Sequence, residues 1–314
     1  MSNSTASHDH WSDYWSSGAL TSLPQDFAAN YDGEVAEFWN TRFSELDEKV
    51  SVLDVCTGNG PIALLAARYA RDHGASWSID AVDAARPDPM VIAQRIGADA
   101  ELLERIRFQG ETAIELLPFE TDAFDLITSQ YGLEYADLEQ AAGELARVLS
   151  PGGTLVFVHH AADSEMIRTM AAEAEDYRTL SETGLLKMVR SWANGQLADP
   201  DFSKRLESPL RRLMQQARRP GASPLLVQVA QSFGSLLQMP MNLRRQQKSA
   251  AAEFARQLSS GQSRLEDMLR VNRMVAGSED WTKPFEKAGL KRTDQGEMIY
   301  RGQHQMGGYQ IWSR

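Results

Sequence analysis

Short apolar runs alternate with helix-type patterns along the first half of the chain. The apolar runs predict strands at 50–55, 77–82, 105–108, 124–129 and 154–159. Apolar residues at helical spacing predict helices at 61–73, 89–96 and 138–149. Strands that alternate with helices favour a doubly wound α/β fold, with a mostly parallel sheet and helices on both faces.

After the fifth predicted strand the pattern changes to helix after helix, from residue 163 to about 275. A further helix at 281–288 and strands at 298–301 and 309–312 follow. We therefore expect a seven-stranded sheet with a large helical insertion after the fifth strand. The predicted domains are an N-terminal lid or tail at 1–23, an α/β domain made of 24–162 and 279–314, and a helical cap at 163–278.

The N-terminal region shows no helical period but contains three large aromatic residues, Trp11, Tyr14 and Trp15. We expect a tail whose rings either close over an acceptor pocket or pack on the core. His8 and His10 supply too few ligands for a metal ion, so no metal site is predicted. Between residues 24 and 46, the Asp32-Gly33 pair is expected to separate two short helices.

Composition and charge exclude several classes of protein. A single cysteine, Cys56, excludes an intrachain disulfide and any multi-cysteine cluster, which fits a reducing compartment. No stretch approaches 18 consecutive apolar residues, so we expect a soluble, cytoplasmic protein that does not enter a membrane. The formal net charge of −11 argues against general nucleic-acid binding. Residues 163–278 are the exception, with 17 Lys and Arg against 12 Asp and Glu.

The segment from Asp54 to Gly60 carries the most chemistry. It joins a predicted strand to a helix and contains Gly58 and Gly60, and such glycines let backbone N–H groups approach a ligand. Asp83 stands 23 residues after Gly60, at the end of the second strand, where a carboxylate can accept both ribose hydroxyls. These features predict an adenosine-type ligand, either a nicotinamide dinucleotide or S-adenosylmethionine.

Three further features favour S-adenosylmethionine. Gly60 is followed by Pro61-Ile62-Ala63, so the glycine pattern of dinucleotide sites is not continued. Asp54 is poorly placed beside phosphates but can organise the turn beside a methionine ammonium group. The third feature is a downstream series: Gly110-Glu111-Thr112 with Glu115-Leu116-Leu117-Pro118-Phe119, then Phe124-Asp125-Leu126-Ile127, then Arg147-Val148-Leu149-Ser150-Pro151-Gly152-Gly153.

With these motifs, the sequence resembles the class I S-adenosylmethionine-dependent methyltransferases, in the branch with many small-molecule methyltransferases. The resemblance covers residues 24–160 and, more weakly, 279–314. It implies that S-adenosylmethionine is the cofactor and assigns residues to it. The implied cofactor-binding residues are Tyr31, Asp54, Cys56, Thr57, Gly58, Asn59, Gly60, Asp83, Ala84, Glu111, Thr112 and Gln130.

Within that set, the implied roles differ along the ligand. Asp54 and the 57–60 backbone border the methionine part, and Asp83 holds the ribose. Glu111 and Thr112 lie at the adenine edge, Gln130 with Tyr131 reaches the methionine end, and Tyr31 covers the cofactor from segment 27–32. The family pattern has glycine where Cys56 stands and more often Asp where Glu111 stands.

Catalysis of methyl transfer depends mainly on near-attack geometry, and a base is needed only if the acceptor arrives protonated. The candidates are His159, after the fifth strand, and Tyr131 and Glu134, after the fourth. Because side chains alternate along a strand, only one of His159 and His160 turns toward the cleft, and the sequence does not decide which.

The predicted function is S-adenosylmethionine-dependent methyl transfer to an oxygen or nitrogen of a small molecule enclosed under the helical cap. Basic residues of the insertion favour a solvated face, a homodimer contact or an anionic acceptor. They are Lys204, Arg205, Arg211, Arg212, Arg218, Arg219, Arg244, Arg245 and Lys248. The alternatives are a methyltransferase that grips RNA or a protein through this insertion, and a non-catalytic cofactor-binding scaffold.

Overall fold

A computed structural model of the protein describes residues 8–23, 27, 29–93, 97–161, 165–219, 222–278, 281–302 and 304–314. The chain divides into two units, one formed by the described parts of Met1–Ser164 and Arg270–Arg314, the other by those of Glu165–Leu269. The predicted domain boundaries at 24, 162, 163 and 279 lie outside the described residues, so that division stays a prediction.

The first unit contains a seven-stranded sheet within its described residues. Its strands are β1 (Ser51–Val55), β2 (Ser78–Val82), β3 (Ile106–Gln109), β4 (Phe124–Gln130), β5 (Leu149–His160), β6 (Lys291–Tyr300) and β7 (His304–Ser313). The order across the sheet is β3-β2-β1-β4-β5-β7-β6. The strands β1 to β5 pair in parallel, and β7 runs antiparallel to both of its neighbours. The predicted doubly wound fold is confirmed.

Helices cover both faces of this sheet. They are α1 (Asp9–Ser16), α2 (Gly33–Phe43), α3 (Pro61–Asp72), α4 (Leu138–Val148) and α11 (Lys283–Lys287), with 3-10 turns at Pro89–Ile92, Gly97–Arg105 and Leu133–Tyr135. Helix α3 begins at Pro61, whose fixed φ suits a first helical position, and it follows Gly60 at φ 84°. The Asp137 side chain caps α4 by accepting from the backbone N–H groups of Glu139 and Gln140.

The strand order places β1 and β4 side by side at the point where the chain reverses its direction of travel across the sheet. Loops that leave neighbouring parallel strands in opposite directions open a crevice at the carboxyl ends of those strands. The segments after β1, β2, β4 and β5 therefore supply the candidate site.

The second unit is built from helices that follow β5 in the chain. They are α5 (Glu165–Glu182), α6 (Leu185–Ala193), α7 (Asp199–Ala217), α8 (Pro224–Gln238), α9 (Met241–Gln246) and part of α10 (Lys248–Gly277). Their apolar faces share a core in which the rings of Trp192 and Phe202 stack with centroids 4.1 Å apart. Within the described ranges, no helix is both long and apolar enough to span a bilayer.

The structure corrects three local expectations, at residues 9–16, at residues 89–96 and in the lengths of β6 and β7. Residues 9–16 form a helix rather than a tail, because Trp15 is buried and the helix docks onto the rest of the unit. Within the helix predicted at 89–96, Pro89–Ile92 form a 3-10 turn, and residues 94–96 are not among the described residues. Helix α2 begins at Gly33, after Asp32, and the other helix expected within 24–46 falls partly on residues 24–26 and 28, which lie outside the described residues. Strands β6 and β7 are longer than predicted, since β6 is an edge strand with mostly exposed side chains.

Candidate active site

The carboxylate of Asp54 lies buried at the end of β1. The hydroxyl of Thr57 donates to its Oδ2 at 2.5 Å, and the hydroxyl of Thr128 on β4 donates to its Oδ1 at 2.7 Å. Burial raises the pKa of Asp54 to about 7, and the two hydroxyl contacts offset this only in part. Because this pKa is about 7, a cation bound beside Asp54 would shift the carboxyl group to its ionised form.

Asp83, at the end of β2, is tied to the glycine loop. The backbone N–H of Gly58 donates to Oδ2 of Asp83 at 2.7 Å, and that of Ala85 donates to Oδ1 at 2.8 Å. Burial raises the pKa of Asp83, while these two hydrogen bonds act in the opposite direction. The structure thus brings together the loop and the second acid that the sequence predicted for the ribose.

The turn that contains Glu111 and Thr112 is fixed beside the end of β2. The N–H of Glu111 donates to the carbonyl of Ala85 at 2.9 Å, and the N–H of Thr112 donates to the carbonyl of Asp83 at 2.9 Å. Glu111 has a φ of 54° and an exposed side chain. Both residues therefore lie on the Asp83 side of the site, and Ala84 lies between the two carbonyls that hold them.

Cys56 adopts the left-handed backbone conformation, with a φ of 54°. This conformation favours glycine, the residue that the resemblance implies at this position. Gly132, after β4, packs against Cys56 so closely that a Cβ added to Gly132 would lie 2.2 Å from the Cβ of Cys56. Burial raises the pKa of the Cys56 thiol well above its ordinary value, so the residue lines the loop as a neutral thiol.

Helix α1 packs directly on the glycine loop. The side chain of Asn59 is fully buried and donates to the carbonyls of Trp15 at 2.9 Å and Ala19 at 2.7 Å. Its Oδ1 accepts from the N–H of Asp88 at 2.8 Å. The hydroxyl of Ser12 accepts from the N–H of Arg86 at 3.0 Å. The sequence did not reveal this contact, because Asn59 reads as an ordinary turn residue.

Tyr31 and Gln130 meet at the end of β4. Tyr31 is buried and its hydroxyl lies 3.3 Å from the hydroxyl of Ser22. Burial raises the pKa of Tyr31, and the contact with Ser22 acts in the opposite direction. Trp39 donates through Nε1 to Oε1 of Gln130 at 2.6 Å. The segment 27–32 is anchored by Asn30, which donates to the carbonyl of Pro61 at 2.9 Å. Ala28 of this segment lies outside the described residues.

Several buried polar atoms without a hydrogen-bond partner lie along this edge of the sheet. Among the described residues they include Ser129 Oγ, Gln130 Nε2 and Glu134 Oε2. Buried polar atoms are nearly always paired in folded proteins. Their position at the end of β4, next to Asp54 and the glycine loop, fits a site built for a polar ligand such as S-adenosylmethionine.

The structure separates the catalytic candidates on β5. Glu134 pairs with His160, whereas His159 lies on the other face of the strand, with its ring 5.2 Å from that of Trp281. The His159 Nδ1 is 3.0 Å from the carbonyl of His160, and burial lowers its pKa. Tyr131 donates its hydroxyl to the carbonyl of Met306 at 3.2 Å. The Tyr131 ring lies 4.9 Å from that of His160, so Tyr131 lies on the same side of β5 as Glu134 and His160, and His159 lies on the other.

The basic residues of the insertion fall into two groups. Arg244 is buried and donates to the carbonyls of Leu236, Leu237 and Met239 at the end of α8. Arg245 and Lys248 pair with Asp199. All three side chains therefore have partners within the second unit.

The remaining six basic side chains are exposed on α7 and the turn after it. They are Lys204, Arg205, Arg211, Arg212, Arg218 and Arg219. Each pair follows the previous one by seven residues, which places the four on the helix on one side of it, while Arg218 and Arg219 follow its last residue. In the described part of the chain, none of them takes part in an ion pair.

No cluster of three or more His, Cys, Asp or Glu side chains suited to a metal ion occurs among the described residues. The acids at the ends of β1 and β2 and the glycine loop between them lie together at the reversal of strand order, as the sequence predicted. A family profile described as "Methyltransferase domain" matches residues 46–289. The chain belongs to this family, the class I S-adenosylmethionine-dependent methyltransferases, and the predicted family is confirmed.

Individual relatives match over part of their length. Demethylmenaquinone methyltransferase of Thermus thermophilus is 42% identical over 106 residues, covering 33% of this chain and 44% of that protein. The ubiquinone/menaquinone biosynthesis C-methyltransferase UbiE of Rickettsia felis is 30% identical over 149 residues, covering 44% of this chain and 59% of that protein. The chain thus spans about half the length of these curated relatives.

Among solved structures, the chain is similar to geranyl diphosphate C-methyltransferase from Streptomyces coelicolor. The TM-score is 0.38 at 18% sequence identity, over 50% of this chain and 66% of that one.

Proposed function

We propose that the protein binds S-adenosylmethionine and transfers its methyl group to an oxygen or nitrogen of a small-molecule acceptor. The observation that carries this proposal is the meeting of Asp54, Asp83 and the 57–60 loop at the β1–β4 reversal point. When bound, S-adenosylmethionine supplies an electrophilic methyl group on a sulfonium centre.

The residues of the site have distinct roles in this proposal. Asp54, buried and set beside the loop, stabilises the methionine ammonium group. Asp83 binds the ribose hydroxyls, and the unpaired Nε2 of Gln130 offers a donor near the methionine end. Tyr31 and α1 exclude water from the loop, which favours a displacement reaction between oriented groups.

Calorimetry with S-adenosylmethionine, S-adenosylhomocysteine and NAD tests the cofactor assignment. We expect micromolar binding of the first two and none of NAD. Asp83→Ala should remove most of that affinity, because it deletes two hydrogen bonds to ribose. Asp72→Ala is the matched control, since Asp72 is a partly exposed acid at the end of α3, away from the strand ends. Binding of NAD alone, or unchanged affinity in Asp83→Ala, would refute the assignment.

A panel of small acceptors with methyl-labelled S-adenosylmethionine tests the reaction itself. The panel should hold phenols, aliphatic alcohols, amines and carboxylates, together with hydroxyquinones. The relatives named as C-methyltransferases make carbon the competing position, and the mass spectrum of a methylated hydroxyquinone separates the two. Label on carbon alone would contradict transfer to oxygen or nitrogen.

The six exposed basic residues on α7 and the turn after it favour a second candidate, a methyltransferase whose acceptor is an anionic macromolecule. Five of the six side chains are arginines, which suit phosphate and carboxylate groups. Replacing Arg211, Arg212, Arg218 and Arg219 together with Gln should then abolish salt-sensitive binding of RNA or of an acidic protein. If neither macromolecule binds the unaltered protein at low salt, the face is simply solvated and the small-molecule acceptor stands.

A further inference from the structure

A buried acid and a buried imidazole form a pair at the ends of β4 and β5. Glu134 lies on the Leu133–Tyr135 turn after β4, and His160 is the last residue of β5. Oε1 of Glu134 accepts from the backbone N–H of His160 at 3.0 Å and lies 2.6 Å from its Nδ1. One carboxylate oxygen therefore fixes both the main chain and the ring of His160.

The environment decides which atom of the pair holds the proton. Burial by itself would raise the pKa of Glu134, but that pKa is lowered, and the hydrogen bond between Glu134 and His160 is the largest effect that opposes burial. Glu134 is therefore a carboxylate that can only accept, so the proton between the two groups belongs to Nδ1 of His160. In a neutral imidazole this leaves the lone pair on Nε2.

Nε2 of His160 is available to a ligand. Within the described residues it has no hydrogen-bond partner, and the His160 side chain is 11% exposed. Tyr131 and Tyr135 flank the ring, with centroid distances of 4.9 and 5.8 Å. Trp11 of α1 meets Tyr135 at 5.5 Å. The ring nitrogen without a partner thus lies beside aromatic side chains, on a histidine that keeps a small exposed fraction.

The pair is built onto the wall of the cofactor loop. Gly132, two residues before Glu134, packs so closely on Cys56 that an added Cβ would clash with it at 2.2 Å. The N–H of Tyr131 also donates to the carbonyl of Val158 on β5 at 2.8 Å. The pair is thus held at the methionine end of the site implied by the motifs, where methyl transfer would take place.

We propose that His160 is the general base of the reaction and that Glu134 is its positioning residue, so the acceptor carries a protonated O–H or N–H nucleophile. This inference rests on the proposed function. The acceptor's lone pair bonds to the methyl carbon as the carbon–sulfur electron pair moves to sulfur, and the acceptor's proton passes to Nε2. The imidazolium that results is stabilised by the Glu134 carboxylate and returns its proton to water.

Nitrogen NMR of the full-length protein with labelled histidine tests the tautomer without any acceptor. In the presence of S-adenosylhomocysteine at pH 7 to 8, we expect His160 to be protonated at Nδ1 and free at Nε2. His160→Gln assigns the signal, and Glu134→Gln should change the tautomer. His73→Gln is the control, because His73 is exposed and stacks only on Tyr69. A ring protonated at Nε2 in this pH range would overturn the proposal.

Kinetics with acceptors from the panel test the base itself. Acceptors whose O–H or N–H is still protonated at the assay pH should lose about 100-fold or more in kcat in His160→Gln. Acceptors already ionised at that pH should lose little. The acid limb of the wild-type pH profile should disappear in the variant, and S-adenosylhomocysteine affinity should not change.

The outcomes separate this inference from the proposed function. If the wild type does not bind S-adenosylhomocysteine, the proposed function fails. If it binds, and His160→Gln methylates protonated acceptors at the wild-type rate, only the base assignment fails. A loss of rate in His159→Gln with none in His160→Gln would return the role to His159.

Discussion

The indole ring of Trp15 lies over the backbone of Gly58, so closely that a Cβ added to Gly58 would come within 2.5 Å of it. Gly58 also has a φ of +53°, in the left-handed region that favours glycine. The glycine loop is therefore restricted twice, once by its own backbone and once by the helix packed on it. The two restrictions can be measured separately.

Gly58→Ala should destabilise the first unit more than Gly74→Ala. Gly74 has a φ of +69° and nothing within 4 Å of an added Cβ, so alanine there adds backbone strain only. At Gly58, alanine also displaces the Trp15 ring, and we expect a loss of about 2–4 kcal/mol against about 1 kcal/mol at Gly74. Urea denaturation followed by tryptophan fluorescence measures both. Equal losses would show that Trp15 does not pack on the loop.

The contact between Trp15 and Gly58 also shows where prediction from sequence stopped. Strands β1 and β4 carry buried apolar runs, so the strands and their parallel direction could be predicted from the alternation with helices. Helix α1 has few apolar residues in helical register, and its position depends on Asn59 and Arg86, distant in the chain. Helix α1 depends on contacts with residues distant in the chain, and the local sequence pattern does not predict such contacts.

The same limit applies to catalysis. The sequence correctly predicted that Glu134 and the two histidines lie at the carboxyl ends of β4 and β5. Which histidine faces Glu134 depends on the register of β5 against β4, where Val158 lies opposite Gln130. A slip of one residue would exchange His159 and His160.

The contribution of Asp54 to the free energy of unfolding should fall as pH rises. Burial raises its pKa from 3.8 to about 7, so between these values the folded protein holds a proton that the unfolded chain has lost. The stabilisation is complete below the unfolded value and is lost as pH rises through the folded value. The free energy of unfolding of the wild type, minus that of Asp54→Asn, should fall by up to about 4 kcal/mol from pH 4 to 8.

Asp137→Asn provides a control of opposite sign. Asp137 caps α4, and hydrogen bonds from Gln140 lower its pKa, so its contribution is present above the unfolded value and lost in acid. Chemical denaturation at pH 4, 6 and 8 compares the three proteins. Parallel curves for wild type and Asp54→Asn would mean that Asp54 is ionised in the folded state throughout.

Arg244 and Arg211 should differ sharply, although both belong to basic pairs in the sequence. Arg244→Ala leaves three carbonyls at the end of α8 without a donor, which we expect to destabilise the second unit by about 2–4 kcal/mol. Arg244→Lys should not restore this, because an ammonium group lacks the planar fork. Arg211→Ala, at an exposed position, should change stability by no more than about 0.5 kcal/mol. Thermal unfolding of the three variants provides the measurement, and equal melting temperatures for Arg244→Ala and Arg211→Ala would contradict it.

Asn59 should control how tightly α1 covers the loop. Its amide holds the carbonyls of Trp15 and Ala19, and its Oδ1 holds the N–H of Asp88, all in a fully buried position. Asn59→Ala deletes these three hydrogen bonds while Gly58 and Gly60 keep their conformation. We expect α1 to detach more often, with faster hydrogen exchange confined to residues 9–23 and faster dissociation of S-adenosylhomocysteine in stopped flow. Asn40→Ala is the control, because Asn40 lies on an exposed position of α2. Faster exchange spread over the whole unit would show instead that Asn59 supports the sheet, and unchanged dissociation would show that α1 does not gate the cofactor.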